Sequence, residues 1–239
     1  MKNVYGDFSK YYDMLGWNLF AGLCAERLKA FFKLRGEKPE TVLNLACGTG
    51  ELEKLLGDKE IKFTGVDASP GMLREARKKC PGARFVKADA AEVRLDNKFD
   101  MVLFLFDSAN HMCSLSHLNR VFKNARRHLK KGGYFIFDIN TPRGLKDWEN
   151  TQVRHAENYT VITSGVYDED EMTAEVILEA FIKEGRYYKK TVQLLTEKTY
   201  DTSEIIERLA KAGLDKIIVT SFDPSEEIED AGRLWFVCS

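Results

Sequence analysis

Residues 41–67 are predicted to form a strand, a glycine-containing turn, a helix and a second strand, in that order. This order constrains the fold more than any other feature of the sequence. Residues 41–46 (T-V-L-N-L-A) are β-branched and apolar, as a buried parallel strand requires. The turn at 47–50 (C-G-T-G) is small enough for a ligand to lie close to the backbone. The second strand ends on Asp67, whose carboxylate can accept two hydrogen bonds from a ribose diol. The segment therefore predicts one half of a nucleotide-binding sheet.

The sequence of the turn limits which ligands can bind there, because the turn lacks the third glycine of a dinucleotide-binding motif. A dinucleotide site favours G-x-G-x-x-G, with a pyrophosphate at the helix N-terminus. Here Glu53 occupies the third glycine position, and Glu51 and Glu53 both lie in the first helical turn, where they would repel a pyrophosphate. The predicted ligand has an adenosine-like ribose, no phosphates and room for a sulfonium or amine cation. S-adenosylmethionine has these properties.

Four motifs resemble those of class I S-adenosylmethionine-dependent methyltransferases, in the order and spacing of that family. They are A-C-G-T-G (46–50), V-D-A-S-P-G-M-L (66–73), A-D-A (88–90) and F-D-M-V-L (99–103). The resemblance implies a small-molecule type of methyltransferase that uses S-adenosyl-L-methionine and releases S-adenosyl-L-homocysteine.

The resemblance also implies an α/β fold. We expect a Rossmann-like, doubly wound, mostly parallel seven-stranded sheet with its last strand antiparallel, plus a small antiparallel β insertion. Residues 153–200 alternate apolar and polar in three segments, with turns at 168–170 and 184–185, which predicts an antiparallel meander. Residues 1–152 and 201–239 would then form the methyltransferase domain, and the meander would cover the acceptor site.

The N-terminal segment carries a further part of the resemblance. Tyr5, Phe8, Tyr12 and Asp13 match a Y-x-x-F-x-x-x-Y-D pattern that lies over the cofactor in related small-molecule methyltransferases. A helix is predicted over 18–34, with one apolar face made of Leu19, Leu23, Leu28, Phe31 and Phe32.

The resemblance assigns adenine contacts to Asp89 and to the backbone N–H of Ala90. Met72 is equally compatible with core packing. Asp89 could instead cap a helix or turn, but its spacing favours the adenine contact. Asn44 replaces the acidic residue usual in the first strand, and Ala46 replaces the first glycine of the turn. The predicted cofactor-binding residues are Tyr5, Tyr12, Asn44, Ala46, Cys47, Gly48, Gly50, Asp67, Ala68, Met72, Asp89, Ala90 and Phe106.

Candidate catalytic residues follow the fourth predicted strand, residues 99–106. Ligands of open α/β sheets bind at the carboxyl ends of the strands, so Asp107 and His111 should face the donor methyl group. Methyl transfer needs a base only when the acceptor must lose a proton. Both residues are candidates for that role, with Tyr12 as a weaker one, although a loop histidine such as His111 is more often a structural hydrogen-bonding group. No metal site is predicted.

Composition and motifs separate the possible functions. The net charge of −1 gives no general attraction to nucleic acid, and no apolar run reaches membrane-spanning length. Five scattered cysteines favour reduced thiols and a cytoplasmic location. We therefore expect methylation of N or O in a small molecule. The alternatives are an RNA methyltransferase that uses the basic residues of 123–131, or a non-catalytic cofactor-binding module. The sequence leaves the acceptor and the oligomeric state open.

Overall fold

The computed structural model describes residues 5–57 and 60–239, and their helices and strands agree with a doubly wound α/β protein. Short 3₁₀ helices occupy Asp7–Lys10 and Ile228–Asp230. In chain order the other elements are α1 (Phe20–Arg35), β1 (Thr41–Leu45), α2 (Glu51–Leu56), β2 (Lys62–Asp67), α3 (Pro70–Lys79), β3 (Arg84–Lys87), β4 (Phe99–Phe104), α4 (Leu115–His128), β5 (Leu129–Asn140), α5 (Pro142–Lys146), β6 (Thr151–Ala156), β7 (Tyr159–Asp168), β8 (Thr173–Glu184), β9 (Tyr187–Lys198), α6 (Thr202–Lys211), β10 (Ile217–Ser221) and β11 (Arg233–Cys238).

The main sheet has seven strands in the order β10-β11-β5-β4-β1-β2-β3. Strands β1 to β5 run parallel, whereas β11 is antiparallel to both β10 and β5. This confirms the predicted fold class, including the antiparallel last strand. The strand order reverses between β1 and β4, so their carboxyl ends form the crevice in which sheets of this kind bind ligands.

Helices cover both faces of this sheet. On one face Phe122 of α4 and Leu209 of α6 pack on Phe104 and Phe137. On the other face α1 and α2 pack on residues such as Met101.

The buried face of α1 differs from the prediction. Leu19 and Leu23, which were expected on the apolar face, are 72% and 58% exposed. The buried face instead consists of Leu28, Phe32 and three small residues, which are Ala21, Cys24 and Ala25. Small side chains let α1 approach the sheet closely, so the largest aliphatic residues did not mark its inner face.

The second sheet is antiparallel, in the order β6-β7-β8-β9. The first of the three predicted segments is split by a two-residue turn at 157–158, so the sheet has four strands. Alternate residues of β8, including Val176 and Leu178, are buried against Phe8, Tyr11 and Leu15 of the N-terminal segment. The second sheet and the N-terminal segment therefore share one apolar core.

Candidate cofactor and acceptor site

The turn after β1 is shaped by three residues in the left-handed region, Ala46 (φ 61°), Gly48 (φ 55°) and Gly50 (φ 74°). The Gly48 N–H donates to Asp67 Oδ2 over 2.9 Å, and the Ser69 N–H donates to Oδ1 over 2.8 Å. These bonds hold the carboxylate against the turn, and each oxygen keeps lone-pair capacity for a ligand. A Cβ at Gly48 would meet no atom within 4 Å, so this side of the turn is open. The turn and Asp67 thus fit a ribose.

Two buried polar residues lie beneath the turn. Asn44 Nδ2 donates to Glu53 Oε1 over 2.9 Å, while Glu53 Oε2 has no hydrogen-bond partner among residues 5–57 and 60–239. Glu53 is only 2% exposed, and burial raises the pKa of its carboxyl to about 7. Glu53 therefore supplies an acidic group from α2 next to the position where β1 carries Asn44. Glu51 instead forms an ion pair with Lys79, at 2.5 Å.

The N-terminal segment is fastened on two sides. Asp13 accepts a hydrogen bond from Thr49 Oγ1 (2.7 Å) and pairs with Lys79 (2.6 Å). On the other side, the Tyr11 hydroxyl donates to Glu184 of β8 over 2.8 Å. The segment thus bridges the glycine turn and the second sheet, and it brings the rings of Tyr5 and Tyr12 together at 5.8 Å over the carboxyl ends of the strands.

Asp89 lies two residues beyond the end of β3. Its Oδ1 accepts a hydrogen bond from the Ala91 N–H (2.8 Å) and lies 3.3 Å from His117 Nε2. The carboxylate therefore does cap its own turn, which was the alternative interpretation, and it remains partly exposed. The sequence analysis assigns no role to His117, which lies at the start of α4. Its position depends on the packing of α4 beside β3.

The backbone beyond β4 is strained. The strand ends at Phe104, two residues earlier than predicted, because Phe106 (φ 65°) and Asp107 (φ 50°) both adopt left-handed conformations. Such conformations cost a non-glycine residue roughly 1–2 kcal/mol each. The fully buried Asp138 holds this turn by accepting hydrogen bonds from both backbone N–H groups, over 2.7 and 3.1 Å.

One arginine neutralises this turn. Arg233 Nη1 pairs with Asp138 Oδ2 and lies 3.1 Å from Asp107 Oδ1. Its guanidinium also sits 4.4 Å from the centre of the Phe20 ring. Burial raises the pKa of Asp138, and the adjacent Arg233 charge opposes that rise. The side chain of Asp107 is thereby placed at the switch point of the sheet.

Asp107, His111 and Glu197 form the other half of the site. One side-chain nitrogen or oxygen of each lies within 4.8 Å of those of the other two. His111 Nε2 is 3.4 Å from the Tyr5 hydroxyl, and Nδ1 is 3.4 Å from the Thr196 carbonyl oxygen. The cluster unites the N-terminal segment, the turn after β4 and the end of β9.

Glu197 was not found from the sequence. It is 4% exposed and accepts a hydrogen bond from Asn140 Nδ2 over 3.0 Å. Burial, followed by the nearby charge of Asp107, raises the pKa of its carboxyl to about 8. A signal did exist, because Glu197 lies on the same face of β9 as the buried Leu195, and a lone acid on an inward face indicates a polar partner or a site.

The remaining predicted residues follow the same edge of the sheet. Cys47, Met72 and Ala90 are buried, whereas Ala68 is exposed and Phe106 is half-buried. The Met72 residue is only 2% exposed, so it belongs to the buried core. None of the helices in residues 5–57 and 60–239 is long and apolar enough to cross a membrane.

A Rossmann-like sheet with a ribose-compatible acid beside a glycine turn defines a nucleoside-binding α/β protein. Comparison with known proteins narrows this class. A family model described as a methyltransferase domain matches residues 42–133. A relative named "Putative methyltransferase YqeM", from Bacillus subtilis (strain 168), is 26% identical over 98% of this chain and 96% of its own length. The chain carries a methyltransferase domain, and its similarities support an S-adenosylmethionine-dependent methyltransferase of the class I type, with S-adenosylmethionine as the cofactor.

Two further proteins are similar to this chain, one in its solved structure and one in its sequence. The crystal structure of an S-adenosylmethionine-dependent methyltransferase from Clostridium acetobutylicum ATCC 824 superposes with a TM-score of 0.85, at 22% identity, covering 96% of this chain and 95% of that one. The dTDP-3-amino-3,4,6-trideoxy-alpha-D-glucopyranose N,N-dimethyltransferase of Streptomyces venezuelae is 28% identical over 55% of this chain and 56% of its own length.

Proposed function

We propose that this methyltransferase acts on an N or O atom of a small molecule, in the cleft between the turn after β4 and the second sheet. The observation that carries the proposal is the Asp67 carboxylate. It is oriented by the Gly48 and Ser69 N–H groups and lies beside the open side of the glycine turn. The similarity to an N,N-dimethyltransferase of an amino sugar supports a small acceptor.

In this proposal the cofactor lies along the carboxyl ends of β1 to β4. Asp67 accepts hydrogen bonds from the ribose hydroxyls, and Asp89 and the Ala90 N–H recognise the adenine. Tyr5 and Tyr12, whose rings lie 5.8 Å apart, cover the methionine end. The other contacts come from the remaining predicted residues, Asn44, Ala46, Cys47, Gly48, Gly50, Ala68, Met72 and Phe106.

When bound, S-adenosylmethionine supplies a methyl group on a positively charged sulfur. The chain's own residues then need to hold the acceptor in line with that methyl group and to exclude water. In this proposal Asp107 and His111 are the candidates for accepting a proton from the acceptor. We propose that residues 153–200 form the cover of this acceptor site over a domain built from 1–152 and 201–239.

The two alternative functions are less well supported. In the basic region, Lys130 pairs with Asp100 at 2.9 Å and Arg126 Nε donates to the Gly213 carbonyl over 2.9 Å. These side chains therefore have structural partners and are less available to an RNA. A non-catalytic module does not need the cluster of Asp107, His111 and Glu197 beside the cofactor cleft.

The test uses methyl-labelled cofactor with a small-molecule extract and with total RNA in separate reactions. We expect label in the small-molecule fraction. In parallel, calorimetry should show that Asp67→Ala lowers affinity for S-adenosylhomocysteine by roughly 100-fold, the loss expected for two hydrogen bonds to a charged group. Glu207→Ala removes an exposed acid of α6 that pairs with Lys211, and it is the control. Label in RNA, or an unchanged affinity in Asp67→Ala, would contradict the proposal.

A further inference from the structure

The acceptor side of the cleft has an excess of acids. Asp138 and Glu197 are buried there beside the half-buried Asp107, and within residues 5–57 and 60–239 Arg233 is the permanent cation that contacts Asp107 and Asp138. Asp67 adds a further carboxylate at the end of β2, and burial raises its pKa. Buried charge without a partner is strongly unfavourable, so a cleft of this kind favours a ligand that brings positive charge.

We propose, on the basis of the function above, that the acceptor is an alkyl amine which enters as an ammonium ion between Asp107 and Glu197, and that Glu197 receives its proton.

The two carboxyl groups are suited to an organic ammonium. One oxygen of Asp107 accepts a hydrogen bond from Arg233 and one of Glu197 accepts from Asn140, and the two carboxyl groups share a side-chain hydrogen bond with each other. An ammonium that enters between them would replace the shared proton, and it needs one acceptor for each N–H that it donates. A hydroxyl acceptor would bring one proton and no positive charge.

A divalent metal ion fits the same cluster less well. Both ring nitrogens of His111 already face partners, the Tyr5 hydroxyl and the Thr196 carbonyl oxygen. A hard cation takes six or more oxygen ligands, and it would have to displace Arg233 from Asp107 to use both oxygens of that carboxylate. The geometry therefore favours an organic cation.

The reaction balances with these groups. The bound ammonium gives one proton to the Glu197 carboxylate and becomes a neutral amine. The nitrogen lone pair then forms the new N–C bond, and the C–S bond breaks with its electron pair remaining on sulfur. The products are a methylated ammonium, a neutral thioether and a protonated Glu197, which returns its proton to solvent. A net single proton is released.

The titration of Glu197 suits this role. The pKa of Glu197, about 8, is closer to the pKa of an alkyl ammonium, near 10, than the pKa of an ordinary carboxyl group is. The ionisable and polar groups that face it come from several elements. They are Asp107, Arg233, Asn140, His111, Tyr5 and Tyr12.

The test needs no knowledge of the acceptor. Sinefungin carries an amine where the cofactor carries its sulfonium methyl, whereas S-adenosylhomocysteine is uncharged there. We expect the wild type to bind sinefungin more tightly, and Glu197→Gln to reduce the ratio of the two affinities about tenfold with unchanged affinity for S-adenosylhomocysteine. Glu175→Gln, on the exposed face of β8, is the matched control and should retain the ratio.

The outcomes are distinguishable. Failure of the wild type to bind S-adenosylhomocysteine would refute the proposed function itself. An unchanged ratio in Glu197→Gln, or a drop in both affinities, would overturn the amine assignment. If the variant does not fold, the wild type still decides, because its preference for sinefungin should rise between about pH 6.5 and 8.5 as the Glu197 carboxyl, with its pKa of about 8, ionises. A flat preference, or displacement of sinefungin by Mn²⁺, would also overturn the assignment.

Discussion

Replacing Asp138 with asparagine should destabilise the protein far more than the small change in shape suggests. The carboxylate accepts hydrogen bonds from the Phe106 and Asp107 N–H groups and pairs with Arg233. Asparagine retains one acceptor oxygen, but its NH₂ group would face donors and would leave the arginine charge with a single partner. Breaking a buried ion pair on one side costs about 3–5 kcal/mol. The two left-handed residues add strain that the weakened turn can no longer hold.

The measurement is urea unfolding followed by circular dichroism. We expect Asp138→Asn to lower the midpoint by about 1 M or more, and Tm by about 10 °C. Glu207→Gln breaks an exposed ion pair of α6 and should leave the midpoint unchanged. A wild-type midpoint in Asp138→Asn would show that the carboxylate does not hold the strained turn.

Two further predictions concern the other half of the site. A Cβ at Gly71 would collide with Ser9 of the N-terminal segment, so Gly71→Ala should weaken S-adenosylhomocysteine binding by roughly tenfold and speed proteolysis of that segment. Gly82→Ala, whose Cβ meets nothing within 4 Å, is the control, and equal affinities would refute the packing argument. The carboxyl of Glu53 has a folded pKa of about 7, above its unfolded value, so its contribution to stability is full in acid and is lost as pH rises from about 4.5 to 7. Glu53→Gln removes this pH-dependent loss. Between pH 5 and 8, the free energy of unfolding of the variant relative to that of the wild type, measured in urea, should therefore rise by up to about 3 kcal/mol. Free energies of unfolding that change with pH in parallel for the two proteins would contradict this.

The fold was predictable from the sequence, and residues for the cofactor half of the site could be proposed from it, because their signals are local. The apolar run of β1, the small residues of the turn and the acid at the end of β2 lie within one stretch of 27 residues, 41–67. A parallel strand, a turn and a helix impose characteristic residue types at fixed spacing, so the sequence alone indicates the geometry.

The acceptor half was less predictable because its groups come from distant parts of the chain. The conformation of Asp107 depends on Asp138 and Arg233, which belong to β5 and β11. Glu197 reaches the site only because β9 ends beside the turn after β4. The partner of Glu53 depends on how α2 packs over β1. Such contacts are set by tertiary packing, and a local pattern such as the inward-facing acid of β9 indicates a polar partner without identifying it.

The most direct measurement is a crystal structure of the protein with S-adenosylhomocysteine. The ribose hydroxyls should lie about 2.7 Å from the Asp67 carboxylate, with the adenine at Asp89 and the sulfur facing Asp107 and Glu197. A ligand bound away from the glycine turn, or an Asp67 side chain that turns from the ribose to a basic residue, would contradict the assigned site.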